Sequence, residues 1–375
     1  MIYSEFKDKR LSLLGMGCMR LPGDGYGNEY IDEAEAEKMF DYAISNGVNY
    51  FDTAWGYHAG KSETVTGRIL SKYPRDSYYI ATKFPGYDLS NMDKVEEIFE
   101  KQLQKTGMEY FDFYLFHNVC EMNIEGYLNR DYGIMDYLLK QKAAGRIHHL
   151  GFSVHGNLET MKRFLDAYGE HMEFCQIQLN WLDWDFQDAK AKVELLNELN
   201  IPVWVMEPLR GGRLAQLSDA DTAKLNELRP GVSVPEWAFR YVESVPGVKM
   251  ILSGMSNFTQ MKENIETFEK SAPLSETEIK TLYEIAKGMT DVVPCTTCRY
   301  CVEACPQGIN IPVMIKLYNE HKFTGGGFIA PMMLASVPEE NRPTACIGCR
   351  ACEALCPQQI KIADVMADFV EKLKA

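Results

Sequence analysis

The chain has 375 residues, 46% hydrophobic and 25% charged, with a formal net charge of −14. That length exceeds the ~250–300 residues at which a single hydrophobic core stops growing, so one large domain with a smaller companion is expected. The acidic balance opposes binding to a nucleic-acid backbone, which needs Lys and Arg to displace counterions; no apolar run reaches the ~18 residues of a membrane span, and Met1 to Arg10 is polar with no export segment, so a soluble, cytoplasmic protein with neither nucleic acid nor membrane as partner is expected.

From Leu11 to about Phe268, short β-rich runs alternate with helical patterns, as in βαβ units and a parallel sheet. The runs are Leu13–Gly17, Tyr50–Thr53, Tyr78–Lys83, Phe113–His117, His149–Ser153, Phe174–Gln178, Val203–Met206 and Met250–Ser253. Between them, Asp32 and Glu35 form a capping box before a helix that Gly47 ends, and Gly107 and Gly145 stop the next helices. Eight strand–helix pairs over about 250 residues predict a (β/α)8 TIM barrel. A doubly wound open sheet is the alternative. A helical stretch follows from Ser275 to Met289, and the division is placed so that residues 1–287 form the barrel and 288–375 a small domain. Within the latter, a helix is expected over Ile311–Lys322, then a flexible stretch containing Gly325, Gly326 and Gly327.

Eight of the eleven cysteines fall in two copies of CxxCxxCxxxCP: Cys295, Cys298, Cys301, Cys305 with Pro306, and Cys346, Cys349, Cys352, Cys356 with Pro357. In a long chain without an export segment they read as metal ligands rather than disulfides. Zinc also uses closely spaced cysteines, but a structural zinc site needs four ligands and has no use for a third Cys two residues on. The spacing is that of [4Fe-4S] ligation, and each Pro keeps the chain from continuing as helix after the last ligand. The runs resemble those of bacterial two-cluster ferredoxins, and the spacer from Pro306 to Ala345 is similar to that of the α-helical variety. In such proteins three thiolates of one run and the fourth of the other hold each cubane. The resemblance therefore pairs Cys295, Cys298 and Cys301 with Cys356, and Cys346, Cys349 and Cys352 with Cys305. It implies single-electron transfer, with a structural or redox-sensing role as the alternative. Cys18, Cys120 and Cys175 read as small buried residues.

A TIM barrel places its chemistry at the C-terminal ends of its strands. Asp52 closes the second run, Tyr57 lies in the loop beyond it, Lys83 closes the third and His117 the fourth. Singly, each reads as a cap or an ordinary core residue. Together they can act on a carbonyl. An ammonium at Lys83, paired with Asp52 and near the Tyr57 hydroxyl, would lower a phenol pKa of ~10 and let Tyr57 donate a proton. Neutral His117 would give the same oxygen a second hydrogen bond.

These four residues resemble the tetrad of the aldo-keto reductases, and GVNYFDTAWGY (Gly47–Tyr57), YIATKFP (Tyr79–Pro85) and YFDFYLFHN (Tyr110–Asn118) match that family too. The resemblance covers most of Leu11–Phe268. It implies an eight-stranded barrel, a nicotinamide dinucleotide bound without a Rossmann fold, and reduction of aldehydes or ketones. Gly15, Met16 and Gly17 begin a Rossmann fingerprint, but Arg20 stands where its third Gly belongs, so they read as a strand end and turn. The resemblance assigns Ser153 and Gln176 to the nicotinamide carboxamide and Asn264 to the adenine. Val154 and Met206 depart from its usual Asn and stacking aromatic residue, and Gly254 and Gln260 from its usual basic positions at the 2′-phosphate, so NADP and NAD both remain candidates. Trp55, Phe84, Asn118, Trp181 and Trp184 are candidate lining residues.

The expected protein is thus an aldo-keto reductase-like, NAD(P)-dependent oxidoreductase that interconverts a carbonyl and an alcohol, coupled to or regulated by two [4Fe-4S] clusters. The rival is an iron–sulfur electron-transfer or scaffold subunit with little reductase activity. Hydride carries two electrons and each cluster one, so a redox partner protein or flavoprotein is expected beside the small-molecule carbonyl substrate.

Overall fold

The computed structural model describes residues 1–23, 29–289, 292–295, 298–356 and 358–374. Pro357 of the second cysteine motif lies outside the described residues. The chain divides into two compact units, Met1–Glu284 and Ile285–Ala375.

The first unit opens with an antiparallel hairpin, β1 (Tyr3–Phe6) and β2 (Lys9–Ser12). Then come β3 (Leu14–Gly17), β4 (Tyr50–Asp52), β5 (Tyr79–Phe84), β6 (Phe111–Val119), β7 (Ile147–Val154), β8 (Cys175–Gln178), β9 (Val203–Met206) and β10 (Val248–Gly254). These eight are parallel and close in the order β10-β3-β4-β5-β6-β7-β8-β9, which makes a (β/α)8 barrel and excludes the open sheet. The closing seam runs from Ile251 opposite Leu14 to Gly254 opposite Gly17.

The hairpin is not among the expected elements, because its residues are mostly charged. Lys7 makes its turn at φ 52, and Phe6, 3% exposed, enters the barrel's lower core with Tyr50, Phe113, Phe174 and Trp204. Its ring meets Trp204 and His149 edge-on, with centroids 5.0 Å apart in both cases. The hairpin therefore plugs the barrel floor.

Side chains alternate along a strand, so the row that fills the floor continues two residues on into the upper layer. Tyr50 precedes Asp52, Ala81 precedes Lys83, Phe113 and Leu115 precede His117, and Phe174 and Trp204 precede Gln176 and Met206. On β3 the row is glycine. A Cβ on Gly15 would lie 2.7 Å from both Leu252 Cδ2 and Met250 Sδ, so any other residue would have to displace both side chains.

The helices largely start and stop as expected. Asp32 caps Glu33–Ser45 by accepting from the Glu35 N–H at 3.0 Å. Only half of the capping box forms, because the Asp32 N–H donates to the Pro22 carbonyl at 2.8 Å instead of to Glu35. Gly107 ends Val95–Thr106 in the left-handed region at φ 66.

Among the described residues the second unit is helical, with helices Tyr300–Glu303, Ile311–Thr324, Ile329–Ala335, Ala351–Ala354 and Ile362–Lys372. Its core joins Ile311, Met314, Ile315, Leu334, Met366 and Phe369 to the ligand candidates Cys301 and Cys352. The glycine stretch expected to be flexible is instead a helix cap and turn. Gly325 closes Ile311–Thr324 at φ 62, the Gly326 N–H donates to the His321 carbonyl, and the Gly327 N–H to Thr324 Oγ1. Among the described residues no helix is long and apolar enough to cross a membrane.

Candidate functional site

Lys83 points from β5 into the upper barrel and is wholly buried. Its ammonium donates to Asp52 Oδ1 at 2.5 Å and to the Thr53 carbonyl at 2.8 Å, and lies 3.4 Å from the Tyr57 hydroxyl. A charge in such a place is tolerated only when paired, and these bonds supply the pairing. Burial lifts the Asp52 carboxyl above its ordinary range, and the Lys83 charge opposes this.

Tyr57 starts a tight turn, Tyr57–Gly60, in which His58 and Ala59 take the left-handed region at φ 51 and 52. Buried His58 holds this turn by accepting the Leu21 N–H on Nε2 at 3.2 Å. The strain fixes where the phenol stands. His117 closes the inward row of β6, just before a break in the β6–β7 register where Asn118 adopts φ 58. Its ring meets Tyr57 edge-on with centroids 6.0 Å apart. Burial, then the charge of Lys83 and then His155, hold its imidazole well below the ordinary histidine range, and Nδ1 is buried without a hydrogen-bond partner. His117 is therefore neutral near pH 7. The fold thus brings Asp52, Tyr57, Lys83 and His117 together from positions up to 65 residues apart, counting from Asp52 to His117.

Ser153 and Gln176 face each other across β7 and β8. Ser153 Oγ accepts the Asn118 N–H at 2.8 Å, which leaves its own proton to donate. Gln176 reaches only the Met206 sulfur, at 3.7 Å, and its Oε1 is buried without a donor. An oxygen without a donor beside a hydroxyl with a proton to give is the complement of a primary carboxamide, so these residues fit nicotinamide. Asn264 donates to Ser253 Oγ at 3.0 Å and lines a cleft with Arg20, Gly254 and Gln260.

Other neighbours of the site carry no signal in the sequence. Tyr87 meets His117 edge-on at 5.1 Å, and Tyr127 donates to the His117 carbonyl at 2.7 Å. Both arrive from segments outside the strand rhythm. Behind β5, buried Glu63 accepts from Thr82 Oγ1 at 2.6 Å, Gln102 Nε2 at 2.8 Å and Lys105 Nζ at 2.5 Å, and Gln102 also donates to the Lys83 carbonyl at 3.0 Å. This clamp fixes the strand that carries Lys83. Of the candidate lining residues, Phe84 and Trp181 are core, while Trp55 is half-buried with Lys105 4.6 Å from its ring.

In the second unit the cysteines line two separate cavities. Cys295, Cys298, Cys301 and Cys356 line one, and Cys305, Cys346, Cys349 and Cys352 line the other. Each cavity takes three thiols from one run and the fourth from the other. Among the described residues no three His, Cys, Asp or Glu side chains converge tightly enough for a single ion. Four thiols around a cavity fit the bulk of a cubane better than a zinc ion at ~2.3 Å from each sulfur.

Residues 294–361 match the family model described as 4Fe-4S dicluster domain, so this unit is an iron–sulfur domain. The chain is 30% identical over 211 residues to "Probable aldo-keto reductase 1" from Glycine max, covering 54% of this chain and 57% of that relative. It is 22% identical over 328 residues to the "NADH-specific methylglyoxal reductase" of Escherichia coli (strain K12), covering 75% and 97%. The crystal structure of an aldo/keto reductase from Klebsiella pneumoniae in complex with NADP and acetate shares the barrel fold, with a TM-score of 0.58, 20% identity and coverage of 75% and 93%. Residues 13–287 match the model of the Aldo/keto reductase family, and with most of its length inside that match the chain belongs to this family of oxidoreductases.

Proposed function

We propose that the barrel interconverts a small carbonyl compound and its alcohol with a nicotinamide dinucleotide, and that the two [4Fe-4S] clusters exchange single electrons with a redox partner. The observation that carries the first part is the buried Lys83 ammonium, paired with Asp52 and directed at the Tyr57 hydroxyl. Ser153 and Gln176 would hold a nicotinamide, which when bound would supply or accept the hydride. The chain's own residues handle the proton and the oxygen. Tyr57 donates a proton to the carbonyl oxygen as charge develops there, and the adjacent ammonium stabilises the phenolate that remains. Neutral His117 gives that oxygen a second hydrogen bond, and because it starts uncharged it does so without releasing a proton. Asp52 pairs with the Lys83 side chain and holds it in place.

The named activities of relatives suit this reading: one reduces methylglyoxal with NADH and another binds NADP. An anaerobic titration of the cluster-loaded protein with NADH and then NADPH, followed by cluster absorbance and by turnover of a small aldehyde, tests both parts. Reduction of the aldehyde, abolished by Tyr57→Phe with cluster absorbance unchanged, is the expected result. Undiminished turnover by that variant would remove Tyr57 from the mechanism. Reductase activity in a protein whose clusters never bleach, with or without substrate, would uncouple the two parts. If neither dinucleotide bound, the electron-transfer or scaffold reading would replace this one.

A further inference from the structure

The cleft that holds Asn264 is open to solvent, has a volume of about 190 Å³, and is also lined by Glu207, Gly211 and Arg20. Glu207 follows β9 directly and takes the left-handed region at φ 57. The Gly211 N–H and the Arg20 charge both face its carboxylate and favour the ionised form. A Cβ on Gly211 would lie 3.2 Å from Arg20 Nη2 and 3.6 Å from Glu207 Oε2, so guanidinium and carboxylate stand over the same glycine. A glycine N–H in a tight turn beside a guanidinium is a donor set suited to phosphate oxygens. Here a carboxylate of the protein faces it.

The charges facing Glu207 come from three segments: Arg20 from the turn after β3, Asp183 from the segment after β8, and Arg210 from its own loop. Arg210 is committed elsewhere, with its Nε 3.0 Å from each oxygen of buried Asp183. Burial lifts the Glu207 carboxyl above its ordinary range and Asp183 adds to this, while Arg20, the Gly211 N–H and Arg210 oppose it.

We propose that Glu207 is an internal anion facing the phosphate donors of this cleft, and that the pyrophosphate of a nicotinamide dinucleotide seats only when Glu207 is displaced or protonated. The inference rests on the nicotinamide reading above and adds a constraint to it. Two negatively charged phosphates and a carboxylate facing the same guanidinium and N–H repel one another strongly. Binding therefore takes up a proton, and affinity falls as pH rises and Glu207 ionises.

The consequence runs against the usual effect of removing a cleft residue: Glu207→Gln binds dinucleotide more tightly than the native protein. Calorimetric titration of the full-length, cluster-loaded protein with NADH near neutral pH should give a Kd about tenfold lower for the variant, the order of one like-charge repulsion removed. Native protein titrated with acid-stable NAD+ between about pH 5 and 8 should lose affinity as pH rises, and the variant should show little change. An equal or weaker Kd for a folded Glu207→Gln protein would overturn the proposal, making Glu207 a bystander or a ligand. A flat pH response of the native protein would overturn it even if the variant did not fold. If neither protein bound NADH or NAD+, the nicotinamide reading itself would fall; tight but identical binding by both would remove only the role of Glu207.

Discussion

The barrel and the iron–sulfur unit build their sites in opposite ways. In the barrel the chemistry-bearing residues are far apart in sequence, and the fold assembles them: a floor of Phe6, Tyr50, Phe113, Phe174 and Trp204 closes first, and the same inward rows then present Asp52, Lys83 and His117. In the second unit the ligand candidates are bunched in sequence, and two of them, Cys301 and Cys352, are part of the hydrophobic core. The barrel makes its site. The second unit sets its two cavities against its own core, so cluster binding and folding should be linked there.

The largest predicted effect follows from this contrast. Chelating the iron anaerobically should unfold most of residues 285–375, because metal-binding free energy in such units is folding free energy. The barrel transition should remain. Hydrogen exchange resolved along the chain checks this, and protection retained by Ile311–Thr324 without iron would break the contrast. Next comes Lys83→Met, which leaves the Asp52 carboxylate buried and unpaired and should cost about 3–5 kcal/mol. The double variant with Asp52→Asn should recover part of that loss in chemical denaturation, though not carbonyl reduction. Phe6→Ala removes the plug from the floor and should cost about 3 kcal/mol. If it left stability unchanged, the hairpin would be an ornament on a barrel that closes without it.

How much of this was legible in the sequence follows the same divide. The cysteine motifs were readable because their ligands are neighbours in the chain. Asp52, Lys83 and His117 were readable because they stand at or near the C-terminal ends of strands, and Tyr57 because it stands a few residues past one of them. The hairpin was hidden because Glu5, Lys7, Asp8, Lys9 and Arg10 mask the single inward ring of Phe6. Tyr87, Tyr127 and Glu207 were hidden because they reach the site from loops and a short helix, where no period announces direction. The capping box at Asp32 was half right, because a carbonyl 10 residues upstream, at Pro22, captured the N–H that Glu35 was expected to take.

The smallest effect predicted is an absence, and it tests the barrel's side of the contrast most closely. An exposed histidine would protonate near pH 6.5, and carbonyl reduction would then show a limb there. Burial, Lys83 and His155 hold His117 well below that range, and burial with Lys192 pushes His155 down to about 4. Both rings therefore stay neutral through pH 6.5, so kcat/KM should carry no limb from His117 at that value. The cost appears in stability. The unfolded chain protonates these histidines at their ordinary pKa while the folded one does not, so the barrel should lose stability as pH falls from about 6.5 toward 4, and Tm should decline across that window. A limb near pH 6.5 that disappeared in a His117→Asn variant would mean that His117 is protonated during turnover, and the burial that distinguishes this site would not govern its chemistry.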